Sequence, residues 1–180
     1  MPHVWRTAPN VRLRVVAGPD HEFFWRALGR IDERTEDLSK LDPRIEVHGF
    51  VEDLRPMYAR AAVVAVPLEV SAGTNIKVLE AMACGKAVVS TPIGCAGLGF
   101  EDGYQLTIRK DWGEFAEALC RVLADEKLRS GLSKRARRTV EDSFSWTAIA
   151  EHAYESYQTL ARIPTQVRTE ISDGDKVLTR

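Results

Sequence analysis

Short apolar runs recur along the first two thirds of the chain: Leu13 to Ala17, Ile45 to Phe50, Ala62 to Pro67, Ala87 to Thr91 and a weaker Gln105 to Ile108. Each is rich in β-branched residues, and most are closed by Gly, Pro or a polar residue. The apolar positions are continuous rather than alternating, which predicts strands covered on both faces, as in a parallel sheet flanked by helices. Between the runs apolar residues return at helical spacing, predicting helices over His21 to Leu38, Leu54 to Ala61, Asn75 to Cys84, Trp112 to Asp125, Glu126 to Glu141 and Trp146 to Ala161. Strand and helix alternate, so an α/β fold is expected. Gly85 sits where a helix C-terminal glycine belongs, and Ser145 can cap the last helix.

Past Arg162 the text turns polar and aperiodic, with too few apolar anchors for another core element. The expected partition is one domain over 1–161 and a loose tail over 162–180. No internal repeat and no linker divides the first part.

The 180 residues are 44% hydrophobic, enough for one core that needs neither disulfide nor structural metal. With 25 Lys and Arg against 26 Asp and Glu, the net charge of -1 offers no sequence-wide attraction for nucleic acid. No apolar run reaches the roughly 18 residues of a membrane span, and the start lacks a signal-peptide stretch, so a cytoplasmic chain is expected. Cys84, Cys95 and Cys120 include no C-x-x-C pair and read as reduced apolar fillers.

The chemistry concentrates between Glu69 and Leu98. A small, flexible loop feeding a helix presents unpaired N–H groups and the positive end of the helix dipole, the physical recipe for holding a phosphate. Ser71, Gly73, Thr74 and Asn75 are its candidates, and the alternative is a loop that merely caps the helix. Glu80 stands among apolar neighbours, Ile76, Val78, Leu79, Ala81, Met82, Ala83 and Cys84. The reading is therefore a partly buried carboxylate that accepts hydrogen bonds from sugar hydroxyls at the helix start, rather than a weak intrahelical pair with Lys77. Lys77 can meet a diphosphate or stand in solvent.

At this point the residues carry a resemblance. Val15-Val16-Ala17-Gly18-Pro19-Asp20, Val47-His48-Gly49-Phe50-Val51-Glu52-Asp53-Leu54 and Tyr58-Ala59-Arg60-Ala61 followed by Ala62 to Leu68 match in order. Lys77 to Thr91, Gly94-Cys95-Ala96-Gly97-Leu98 and Phe144-Ser145-Trp146 complete the succession. Over about residues 10 to 161 the chain resembles the C-terminal, nucleotide-sugar-binding domain of the group 1 (family 4) retaining glycosyltransferases of GT-B architecture. The resemblance implies a Rossmann-like parallel sheet and a nucleotide-diphosphate sugar as donor substrate, with no metal or other cofactor. It implies that Glu80 binds the donor ribose, that Gly73, Thr74, Asn75 and Lys77 meet the diphosphate and sugar, and that Gly18, Phe50 and Val51 form the loops beside the base. The catalytic residue, base, sugar and acceptor stay open.

The chain departs from the family pattern in two places. Ala72 occupies the position of the family's first glutamate. Members also begin this domain with a strand and a basic loop, after a whole acceptor-binding domain, so the chain is expected to be a fragment, inactive alone. In the order 3-2-1-4-5-6 the strand not found here lies between those at Leu13 and Ala62, which must pair directly or have the gap filled by solvent, the amino-terminal residues or another chain. The alternatives are a non-catalytic or degenerate nucleotide-binding module that needs a partner chain, and a fragment of a nucleotide-sugar 2-epimerase, also GT-B.

Asp173-Gly174-Asp175 matches a D-x-D metal motif but lies in the polar tail without a supporting strand. Lys134 to Arg138 is a basic cluster that reads as a solvated helix face, with peripheral contact to the inner face of a membrane as its alternative. His3, His21, His48 and His152 have no ligand spacing, while Phe23, Phe24, Trp25, Trp146 and Tyr154 read as packing residues.

Overall fold

The computed structural model describes residues 1–18 and 42–162. The expected helix over 21–38, the aromatic trio at 23–25, the tail and the D-x-D match at 173–175 lie outside the described residues. The chain forms two compact units, Met1–Arg137 and Arg138–Arg180.

In the first unit the elements run α1 (Pro2–Thr7), β1 (Leu13–Val16), β2 (Ile45–His48), α2 (Arg55–Arg60), β3 (Val63–Val66), α3 (Ile76–Ala83) and β4 (Ala87–Ser90). A 3-10 turn at Ile93–Cys95, β5 (Thr107–Ile108), α4 (Trp112–Ala124) and most of α5 (Glu126–Phe144) follow among the described residues. All strand pairs are parallel, so the structure is an α/β fold with parallel strands, as expected. β4 is central to β3-β4-β5, and its four residues, Ala-Val-Val-Ser, are all buried. That explains why its sequence is apolar without alternation. α4 presents Phe115, Ala118, Leu119 and Val122 to the core with Val89 and Leu132, an i, i+3, i+4, i+7 stripe. Asp111 caps it, its Oδ1 accepting from Gly113 N at 2.8 Å and Glu114 N at 3.0 Å.

Of the alternatives for the strands at Leu13 and Ala62, direct pairing is not seen among the described strands. β1 pairs with β2, and β3 pairs with β4, so the described strands make two sheets rather than one, and β1 and β3 do not pair with each other. The amino-terminal residues reach toward both. Val4 of α1, 1% exposed, packs into the core beside Ala87 and Val89 of β4. The adjacent Trp5 donates from Nε1 to Val11 O at 2.8 Å and lies 4.2 Å under the guanidinium of Arg44, just before β2.

α3 ends as the glycine at its C-terminus predicts. Gly85 adopts φ +65°, with Gly85 N bonded to Met82 O and Lys86 N to Ala81 O, both at 2.9 Å. This is a Schellman closure, which a side chain at Gly85 would strain. The three cysteines are free thiols, and burial pushes the Cys95 thiol up.

In the second unit, α6 (Trp146–Arg162) follows α5, and Ser145 Oγ accepts from Ala148 N at 3.2 Å, the cap read from the sequence. Trp146 and Tyr154 are not core residues: they are 87% and 64% exposed. The apolar periodicity of α6 correctly marks a helix, but its aromatic positions face outward. Among the described residues no helix is long and apolar enough to cross a membrane.

Candidate functional site

The site is built where β3 and β4 end, because in an open parallel sheet the loops at the C-terminal strand ends converge while helices cover the faces. Pro67, without an N–H for a ladder, follows the last residue of β3, and the chain then runs through 68–75 into α3. Small and polar residues fill this loop, and internal bonds hold its inner side. Ser71 Oγ lies 2.9 Å from Gly73 O and 3.2 Å from Asn75 Oδ1. Asn75, 7% exposed, donates from Nδ2 to Ile93 O at 3.2 Å. Thr91, 5% exposed, donates from Oγ1 to Leu68 O at 2.6 Å and accepts from Gly94 N at 3.1 Å. Trp112 Nε1 donates to Glu69 Oε1 at 3.1 Å.

The outer side of the loop is open. Ser71, Ala72, Gly73 and Thr74 are exposed, and a Cβ placed on Gly73 would meet nothing within 4 Å. Gly73 has no positive φ, so neither backbone strain nor crowding within the chain requires glycine there. The loop enters α3 at its N-terminus, with Ile76 N bonded to Thr74 O at 3.1 Å and Val78 N to Asn75 O at 2.9 Å. Lys77 is exposed on the first turn of α3.

The Asn75 amide ties the loop to the β4 connection. One expectation about side chains changes. Glu80 is not partly buried but exposed. The reason lies in the helical wheel, which turns about 100° per residue. α3 buries Val78, Ala81 and Met82 as one stripe, and Glu80 falls opposite it, while Ile76 is 63% exposed. Apolar neighbours along the chain therefore do not surround Glu80 in space. It forms no ion pair with Lys77 among the described residues; instead Tyr58 of α2 donates its hydroxyl to Glu80 Oε2 at 3.2 Å. Burial of the half-buried Tyr58, aided by the charge of Glu80, pushes its hydroxyl up to about 12. Tyr58 carries part of the family resemblance, but no motif spacing assigned it a partner.

Gly18, Phe50 and Val51 follow β1 and β2, the C-terminal ends of the other sheet; Phe50 is 71% exposed and Val51 half-buried. On the same pair of strands Glu46 accepts from Arg12 at 2.8 Å and Arg14 at 2.7 Å, which holds its carboxyl down at about 2. His48 Nε2 stands 3.9 Å from Glu46 Oε2. The basic cluster on α5 is engaged in part within each unit. Arg135 donates to Tyr104 O at 2.6 Å with its guanidinium 5.1 Å from that ring, and Arg138 pairs with Asp142 at 3.5 Å.

Residues 1–125 match the family described as "Glycosyl transferases group 1". The chain is 32% identical over 111 residues to a D-inositol 3-phosphate glycosyltransferase of Corynebacterium jeikeium, covering 61% of this chain and 26% of that protein. Its structure is similar to Anabaena HepE solved in complex with UDP, with TM-score 0.69, 19% identity, and 88% of this chain and 45% of that one covered. It is also similar to the C-terminal domain of the group 1 glycosyltransferase LpcC from Francisella tularensis, with TM-score 0.58, 18% identity, and coverage of 80% and 92%.

Proposed function

The chain belongs to the group 1 glycosyltransferase family, and from that premise we propose that it is the donor-binding part of a glycosyltransferase. That enzyme would move a sugar from a nucleoside diphosphate sugar to an acceptor hydroxyl, with retention of configuration. The observation that carries the reading is the loop at 71–75, fixed on its inner side and open on its outer side at the N-terminus of α3. Backbone N–H groups and the helix dipole there favour a diphosphate, and Lys77 adds a cation on the first turn. As the leaving diphosphate gains negative charge, these groups stabilise it. No metal or cofactor enters this reading.

In this reading Glu80, exposed on the second turn of α3, accepts the ribose hydroxyls, and Gly18, Phe50 and Val51 flank the base. Gly73 is glycine so that phosphate or sugar can approach the backbone. HepE has been solved with UDP and with UDP-glucose, which supports a nucleotide-sugar donor for this chain too. In this reading the acceptor and its binding residues belong to a separate part, a further domain or a partner chain; this chain spans 26% of the curated relative and 45% of the HepE chain. Ala72 supplies no carboxylate toward the donor sugar. With the acceptor residues elsewhere, the chain alone is expected to bind donor without transferring sugar.

The test is a calorimetric titration of the purified chain with UDP, GDP, ADP and their sugar conjugates, beside Glu80→Ala. Saturable binding of one nucleotide series, weakened in the variant, is the expected result. A folded chain that binds none of them would remove the donor-site reading and leave a degenerate module.

A further inference from the structure

Glu80 is exposed, and a lone glutamate on a helix surface spreads over several rotamers. Recognition of a cis-diol needs both carboxylate oxygens presented together, so something must hold the side chain. The described residues contain one such group. Tyr58, on α2, reaches across to α3 and donates to Glu80 Oε2 at 3.2 Å. We infer that Tyr58 is a positioning residue for the donor site, its hydroxyl holding the Glu80 carboxylate in the orientation that accepts the ribose hydroxyls. The inference rests on the reading of Glu80 as the ribose ligand.

The chemistry fits the assignment. A carboxylate offers about four lone-pair sites and Tyr58 uses one, which leaves enough for two ribose hydroxyls. Donation requires a protonated phenol. Burial of Tyr58 and the Glu80 charge keep the proton on well above physiological pH, so the bond persists wherever the protein works. Tyr58 also starts from a fixed place. α2 is anchored at its start by Asp53, whose Oδ1 accepts from Arg55 N at 3.0 Å, and at its end by Lys86, whose Nζ donates to Ala59 O at 3.0 Å. Lys86 directly follows the glycine that closes α3, so the two helices bearing Tyr58 and Glu80 are joined at a second point. The hydroxyl is thereby held as part of a frame rather than on a loose helix.

A purely structural hydrogen bond between α2 and α3 would predict the same contact, so the test must read ribose recognition and not stability alone. UDP, GDP and ADP are titrated against the full chain beside their 2′,3′-dideoxy counterparts, and the ratio of the two affinities measures recognition of the diol. The wild-type chain is expected to prefer the ribonucleotide, and Glu80→Ala to bind both forms equally. Tyr58→Phe, which keeps the ring and removes only the donor, is expected to reduce the preference by roughly threefold to tenfold, the range of one hydrogen bond. Its affinity for the dideoxy form should be unchanged. Tyr58→Met, which also removes the donor and leaves Glu80 intact, should lose preference in the same direction and serves if Tyr58→Phe does not fold.

The failures are distinguishable. A preference that survives in Glu80→Ala would overturn the Glu80 reading and the inference with it, as would a wild-type chain with no preference or no binding. A preference abolished in Glu80→Ala but intact in Tyr58→Phe, with or without a lower melting temperature, would overturn the Tyr58 role alone.

Discussion

Gly94→Ala tests whether the loop after β4 is fitted against β3 as closely as the geometry says. Gly94 is buried, and a Cβ there would stand 2.3 Å from Ser90 Oγ, 2.9 Å from Val66 O and 3.0 Å from Val66 Cγ1. Ser90 is 0% exposed, so its hydroxyl has little room to swing aside. Val66 O is backbone and already accepts from Thr91 N at 3.2 Å, so moving it loosens the join of β3 to the site loop. Overpacking of this kind costs about 1–3 kcal/mol. Replacing glycine restricts the unfolded chain and returns about 0.4–1 kcal/mol. The midpoints of these ranges leave a net loss of about 1.3 kcal/mol, a fall in melting temperature of roughly 3–5 °C for a chain of this size. Thermal melts of Gly94→Ala, Ser90→Ala and the double variant read it. Removing the Ser90 hydroxyl relieves the closest contact but not the two from Val66, so the double variant should be more stable than the sum of the single losses while remaining below wild type. A Gly94→Ala chain that melts with wild type, or strictly additive losses, would refute the close fit.

Gly73→Ala should leave stability within about 0.5 kcal/mol of wild type, since the added methyl meets nothing within 4 Å. The same substitution should weaken nucleotide-diphosphate binding in the titration; unchanged affinity would deny a ligand's approach to that backbone. Asn75→Ala removes a buried amide bonded to Ile93 O and Ser71 Oγ, and should destabilise by about 1–3 kcal/mol in a denaturant melt. A loss below about 0.5 kcal/mol would mean that the tie is not formed in solution. Glu46 has its carboxyl lowered from 4.5 to about 2, first by its hydrogen bond from Arg12 and then by that from Arg14. A depressed carboxyl stabilises the fold above its unfolded value and loses that contribution as pH falls. The stability difference between wild type and Glu46→Gln should therefore be full above pH 4.5 and close toward pH 2, and a difference that does not change with pH would count against the Arg12 and Arg14 pairing.

The strands were legible because burial on both sheet faces writes itself as unbroken apolar text. β4 is the plainest case, with Ala87 to Ser90 all buried. α1 was not, because a six-residue helix begun by Pro2 has too little periodicity to read. It is held by tertiary contacts of Val4 and Trp5 with residues far along the chain. At the site the loop and its residue types were legible, since glycine and small polar residues before a helix mark a turn that feeds its N-terminus. Side-chain orientation was not legible. Asn75 has its partner eighteen residues away at Ile93, and the face of the helix, not the apolar neighbours along the chain, decides the exposure of Glu80.

The division between inner and outer sides of the loop bears on how a small site gains affinity. Fixing a backbone residue costs about 1–2 kcal/mol of conformational entropy, and a floppy loop must meet that cost when the ligand binds. Here Ser71, Asn75, Thr91 and Trp112 order residues 68–75 by bonds made within the fold, so the cost falls on folding instead. Of these, Asn75 and Thr91 are buried, 7% and 5% exposed, and their polar atoms can be satisfied only if they stay there. In the donor-site reading the outer surface gains from having no side chain at Gly73, because every atom placed there would stand between the backbone and a phosphate. A loop of this design needs polar side chains on one side and their absence on the other. The segment Ser71-Ala72-Gly73-Thr74-Asn75 meets both requirements within five residues.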